Sequence, residues 1–554
     1  MKFNKYLLMS IGAASLTFGS LTSCMEEVEP TDYAIEKQIQ ESPSAAEAML
    51  MAMPAYANEI WMTGYNSNWH NCFGYAAMMH IRNVMGADLT NNNGDGYGSH
   101  FYYWARNKAM DEAKIFGQFI WNYYYGYVMT TNTLIGGIDE TNATDDQLGY
   151  LGAGLAFRAM LYLDLARMYE FLPNDKTSNI NKDGNNVLNL TVPIVKDGME
   201  VDAARSNPRA TRDSMYNFIK EDLEKAEKYI VNLKDTKGKV LPDLGCVYGL
   251  QARLNMWVEN YAEAQKYARL AIDNASGHVM SKVECLSTTS GFNEVDPWMW
   301  GSQLTSESDP VKTGIINWIS WMSNETTFGY KGVGTGMYTC IDKNFYERIG
   351  DDDFRKDMFK APKDRPDLGA RNVYLMPQLD TFDEESDYYM PAYASLKFRP
   401  AQGNTDDYST GAACAYPLMR VEEMYFIEAE AAAHQNAAEG LSLLTDFMKN
   451  YRNAKYTPKA VEQADIIDEI YFQKSIELWG EGQSFFDVKR LNKSVTRGYE
   501  GTNWGDDLTR LNTNGRPAWM NIVIVQSEKN NNKALVGMNN PDPTDAYIPW
   551  VAEN

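Results

Sequence analysis

Cysteine and histidine are scarce in this chain of 554 residues, which holds six of the first and five of the second. Apart from Cys24, the cysteines are Cys72, Cys246, Cys285, Cys340 and Cys414, odd in number and irregular in spacing. That excludes a disulfide scaffold or a metal knuckle, and they read as core residues. The histidines His70, His80, His100, His278 and His434 show neither His-x-x-x-His nor Glu-x-x-His spacing, so no metalloprotease helix is present. A Gly-x-Ser-x-Gly elbow is absent, and Gly332-Val-Gly-Thr-Gly336 lacks the Lys-Ser or Lys-Thr that would complete a phosphate loop. The stretch Asn91 to Tyr102 has the glycine of a calcium loop without its first Asp or final Glu. No metal and no cofactor is expected.

Positive charge is also short. With 74 acidic against 51 basic residues the net charge is −23, and no Lys/Arg cluster offers a grip on a phosphate backbone, so nucleic acid is excluded as a partner. Neutral or cationic ligands suit this balance better. The apolar run from Tyr6 to Phe18 is too short to cross a bilayer. Lys2 and Lys5 before it, and Leu21-Thr-Ser-Cys24 after it, give the form of a lipoprotein leader over residues 1–23. Cys24 is then the expected site of lipidation, and two or more acyl chains anchor stably where one is marginal.

Aromatic residues are plentiful: 35 Tyr, 21 Phe and 13 Trp make 12% of the chain, more than packing requires, so some rings are expected to face a ligand. Helical periodicity is strong over Ile115 to Ile135, Ala156 to Tyr169 and Met215 to Leu233, and Ser44 is read as the cap of a helix running toward Met62. Cys246 to Trp257, a turn at Glu259-Asn260, and Tyr261 to Ala271 resemble a tetratricopeptide unit, with Ala252, Ala264 and Ala268 at the helix contact. Gly291 to Pro400 is less regular, with short strands expected, Lys397 to Arg399 among them.

Near the end, Ile466, Ile467, Ile470, Tyr471 and Leu478 mark a helix that should stop at Gly480 or Gly482. Glu477-Leu478, Glu481-Gly482, Phe485-Phe486 and Asp487-Val-Lys-Arg490 resemble the C-terminal signature of the SusD/RagB family, the nutrient-binding outer-membrane lipoproteins of Bacteroidetes. Arg420 to Ala431 resembles the family's second signature. The resemblance departs at Gln473-Lys474 and at Ser484, which puts local ion pairs in question. It implies a mainly α fold: a tetratricopeptide-like, SusD-like scaffold of helical pairs carrying a less regular α+β ligand-binding region. The corresponding division is 24–290 for the N-terminal region and 291–554 for the C-terminal one.

The resemblance further implies a surface-exposed, lipid-anchored outer-membrane protein that binds glycans and passes them to a TonB-dependent SusC-like transporter. The positions implied for its ligand surface hold Trp69, His70, Asn71 and Tyr97 on one side, and Trp298, Trp318, Trp321 and Tyr330 on the other. If Trp298 and Trp300 share a strand they face opposite ways, so at most one is exposed. The alternatives are a surface glycoside hydrolase and a peptide-binding RagB-like subunit. A hydrolase needs two carboxyls across the scissile bond, ~5 to 9.5 Å apart. Glu477 and Glu481, four apart on one helix, point the same way, and Glu428 and Glu430 are turned by ~200°. Ion pairing with Arg420, Lys474 or similar neighbours is the reading both pairs favour.

Overall fold

The computed structural model describes residues 42–60, 70–91, 99–289, 291–330, 337–505 and 507–552. Cys24, Trp69 and Tyr97 lie outside these residues, as does the leader. The first helix, α1 (Pro43–Tyr56), begins two residues earlier than expected: Ser42, not Ser44, caps it, accepting from the Ala45 amide, and Pro43 takes the first helical position. It ends at Tyr56 rather than near Met62. There follow α2 (Tyr75–Val84), strand β1 (Leu89–Asn91), α3 (Ser99–Ala105), α4 (Ile115–Gly136) and α5 (Asp145–Tyr169). Thr144 and Gln147 close a reciprocal capping box at the start of α5.

The scaffold is a run of antiparallel helix pairs. Helix α5 packs on α6 (Arg212–Tyr229), and α7 (Leu244–Trp257) packs on α8 (Tyr261–Asp273) across a turn where Glu259 adopts φ 62°. Ala252, Ala264 and Ala268 are fully buried there, and their small side chains let the helices approach. The chain returns to helices with α10 (Val421–Gln435), α11 (Ala437–Tyr451), α12 (Gln463–Glu477) and α13 (Ser484–Arg490), of which α10 lies against α8, α11 and α12. Between the two runs come strand β2 (Trp300–Gln303), the one-turn helix α9 (Trp318–Met322), β3 (Thr339–Ile341) and β4 (Ala415–Met419). β1 pairs antiparallel with β3, and β2 with β4, as two separate two-stranded sheets. Lys397 to Arg399 is not a strand. Both long side chains turn inward to buried carboxylates, Lys397 to Glu481 at 2.7 Å and Arg399 to Glu325 at 3.0 Å.

Helix α12 ends at Glu477, three residues before the first of the two glycines expected to stop it, and the glycines shape the turn that follows. Gly480 and Gly482 adopt φ values of 78° and 70°, a left-handed conformation that costs other residues ~1 kcal/mol or more. The turn is latched to α2: Asn83 donates to the Gly480 carbonyl at 2.7 Å and accepts from the Gly482 amide at 2.7 Å, while Arg82 donates to the Gly482 carbonyl at 2.9 Å. Phe485 and Phe486 are then buried at the start of α13. The five remaining cysteines are buried, and no disulfide joins them among the described residues.

Candidate functional site

The acidic pairs of the C-terminal motifs are spent on structure. Glu477 accepts from Arg420, Arg452 and Arg355 at 3.3, 2.7 and 3.2 Å, and Glu481 from Arg420 and Lys397 at 2.8 and 2.7 Å. Burial alone would raise the Glu477 carboxyl, yet Arg452, Arg420 and Arg355 hold it well below the usual carboxylate range. Glu428 pairs with Arg269 and Glu430 with Arg490. Lys474 pairs with Asp487 at 2.8 Å, and Ser484 donates to Asp88 at 2.9 Å, so the two departures from the motif have local partners. Each of these carboxylates is engaged by at least one basic side chain or hydroxyl. The described residues hold no group of three or more His, Cys, Asp or Glu arranged to bind a metal.

Aromatic chemistry gathers elsewhere, where the segment at residue 70, α3 and the irregular middle region meet. His70 lies stacked on His100 with centroids 4.6 Å apart, and its Nδ1 shares a hydrogen bond of 2.8 Å with the Tyr330 hydroxyl. Tyr330 stacks on Trp321 at 3.7 Å. The Trp321 indole N–H donates to the His70 carbonyl at 2.9 Å, and Phe101 meets the same indole edge-on at 4.7 Å. Asn71 is fully buried behind them, donating to the His100 carbonyl. Residues implied from two distant stretches, His70 and Asn71 on one side and Trp321 and Tyr330 on the other, thus share one cluster. His100 and Phe101 join it from α3.

Trp298 and Trp318 sit apart from this cluster. Trp298 and Trp300 are both fully buried, because Trp298 precedes β2 and alternation along a strand does not apply to the pair. Trp318 packs edge-on against Phe398 at 5.2 Å. Trp321 and Tyr330 are themselves almost wholly covered, so the accessible part of the cluster is the pair of half-buried imidazoles, His70 and His100.

Burial lowers the His70 pKa and, with the neighbouring His70 ring adding to it, takes that of His100 down to about 4. Both are neutral at pH 7, and each ring then offers one donor, one acceptor and a flat face. Beneath them His80 is fully buried, edge-on to Phe101 at 4.4 Å, and burial pushes it down to about 3. A depressed histidine destabilises as pH falls, since the unfolded chain takes up a proton near pH 6.5 that the folded one refuses. Between pH 7 and pH 5, His80 should lower stability by ~2 kcal/mol. Asp88, raised to about 6 by burial, works in the opposite direction. The clean measurement is the unfolding free energy of the wild type minus that of His80→Gln, expected to fall by that amount over this range. A difference independent of pH would contradict the depressed value.

Residues 319–549 match the SusD family model, and no curated protein matches the sequence. Among solved structures the fold is similar to a SusD-like carbohydrate binding protein from Bacteroides vulgatus, with a TM-score of 0.68, 23% identity, and 90% of this chain and 98% of that one covered. A putative sugar binding protein from the same species has a TM-score of 0.64 and 19% identity over 90% of this chain and 98% of its own. A SusD superfamily protein from Bacteroides thetaiotaomicron follows at 0.65 and 18%, covering 90% and 99%. The fold is the mainly helical SusD-like one with small two-stranded sheets.

Proposed function

We propose, from the match of residues 319–549 to the SusD family model and a SusD-like fold over 90% of the chain, that the protein is a member of the SusD/RagB family and binds glycans at the His70–His100–Tyr330–Trp321 cluster. The family binds without catalysis. The observation that carries the reading is the meeting of His70 with Tyr330, 260 positions apart in the chain. It sets two neutral imidazole faces over an indole and phenol base that cannot yield. Sugars present apolar C–H faces and a rim of hydroxyls, which such rings and their ring nitrogens match. Relatives of the same fold described as carbohydrate binding and sugar binding support the same ligand class.

Acylated at Cys24 and held at the outer membrane, the protein would pass its cargo intact to a TonB-dependent SusC-like transporter. The 24–290 and 291–554 regions would each contribute one side of the ligand surface, Trp69 and Tyr97 lying with the first. A stacked sugar burying on the order of 80 Å² of apolar area contributes ~2 kcal/mol. Calorimetry against plant and host polysaccharides should therefore show His70→Ala and His100→Ala weakened by roughly tenfold or more, with thermal midpoints near wild type. Affinities unchanged in both variants and in Tyr330→Phe would move the site elsewhere.

A further inference from the structure

Arg106 follows directly on α3, its amide still donating to the Tyr102 carbonyl at 3.0 Å. Its guanidinium lies 4.6 Å from the Tyr102 ring centroid and 5.5 Å from that of Tyr103. The two rings meet at 73°, and Tyr103 is itself stacked on Phe116 at 4.5 Å, so the guanidinium sits in a fixed aromatic corner. Among the described residues its Nε, which is buried, meets no acceptor, and the terminal nitrogens make no hydrogen bond or ion pair. Every other arginine among the described residues that is not exposed forms an ion pair with a carboxylate or donates to a backbone carbonyl. In a chain with 74 acidic residues against 51 basic ones, a half-buried guanidinium with no anion beside it among the described residues is an exception.

Its position relates it to the cluster above. His100 and Tyr103 lie three apart on α3 and Arg106 three further on, just past its end, so at helical rise Arg106 stands ~9 Å along the axis and about a third of a turn round from His100. We propose that the cargo is an acidic glycan, and that Arg106 pairs with a carboxylate or sulfate group on it while a neighbouring sugar lies at the His70–His100 pair. This rests on the binding reading given above and narrows it. The Nε edge is closed by protein, so recognition runs through the outward Nη1–Nη2 edge, whose two parallel N–H groups match two oxygens of a planar carboxylate. A guanidinium already stripped of water on one edge and braced by rings has less hydration and less motion to lose on pairing. The net charge favours neutral or cationic ligands for the molecule as a whole, and Arg106 reverses that preference locally.

The test is calorimetry of the full mature chain and its variants with polygalacturonate, which carries carboxylates, with dextran sulfate, which carries sulfates, and with a panel of neutral plant and host polysaccharides. The wild type is expected to bind at least one anionic polymer, and which of the two it prefers separates carboxylate from sulfate. R106Q should weaken that binding by about tenfold or more, R106K should restore part of it, and neither should alter the thermal midpoint. Wild type that binds neutral polymers alone, or R106Q that binds the anionic polymers as tightly as wild type, would overturn the inference and leave glycan binding standing. Wild type that binds no polymer of either kind would remove both.

Discussion

Replacing Glu477 with alanine should lower the unfolding free energy by about 3 to 5 kcal/mol, the range for breaking one side of a buried ion pair. The carboxylate is 4% exposed and lies between three arginines. Arg355 would keep Asp353 at 2.7 Å and Arg420 would keep Glu481 at 2.8 Å. Arg452 would be left with two carbonyls at 2.9 Å and Glu422 at 3.5 Å. The removal of its 2.7 Å carboxylate partner from the buried Arg452 guanidinium is the main source of the loss. A double-mutant cycle with Arg452→Met tests this, because removing both charges should restore much of what Glu477→Ala removes. The sign with pH is also fixed. A carboxyl held far below its ordinary 4.5 when folded contributes stability above that pH, and the contribution is lost as the pH falls below it. Urea midpoints that barely move in Glu477→Ala would mean the cluster is solvated.

That cluster shows how far local pattern reaches. Two glutamates four apart point the same way on a helix, and this alone argued for ion pairing over catalysis; the structure supplies Arg420 as their shared partner. The α7–α8 pair was legible for a similar reason, since its turn and small contact residues all lie within thirty positions. Lys397 and Arg399 were misread as strand because their partners, Glu481 and Glu325, stand far away in sequence. The expectation that at most one of Trp298 and Trp300 is exposed holds, since both are buried, although β2 begins only at Trp300 and the two do not share a strand.

In the candidate site, His70, Trp321 and Tyr330 were indicated by the family resemblance, while their mutual contact depends on a chain separation no periodicity covers. His100 and Arg106 were missed altogether. The signal available was their spacing with Tyr103, one residue type of interest every third position, on a stretch too short to declare itself a helix. Rings said too little by themselves. Most of the aromatic excess is structural, filling the space between helix pairs and the middle region, as Trp104, Trp298, Trp300, Trp318, Trp479, Trp504 and Trp519 do with less than 2% of their surface exposed.

Gly482→Ala should be nearly as damaging as Glu477→Ala, and its damage should reach the proposed binding cluster. A Cβ there would stand 2.8 Å from the Met79 Cα and 2.9 Å from the Met79 carbonyl oxygen, both backbone atoms of α2. No rotamer change relieves that contact, so the turn and α2 must separate. Left-handed strain adds ~1 kcal/mol, and the buried hydrogen bonds from Arg82 and Asn83 to this turn are each worth about 1 to 3 kcal/mol when a partner is left unsatisfied. A total of ~3 to 5 kcal/mol follows, read as a lower urea midpoint. Gly369→Ala is the control, since a Cβ there meets nothing within 4 Å, and its stability should be unchanged or slightly raised. Helix α2 also carries His80, whose ring lies 4.4 Å from Phe101 and 5.8 Å from Trp321. If the C-terminal motif holds the aromatic base in place through α2, folded Gly482→Ala must bind glycan more weakly than wild type, although no atom of Gly482 touches the cluster. Wild-type affinity in a folded but destabilised variant would show that the motif serves stability alone.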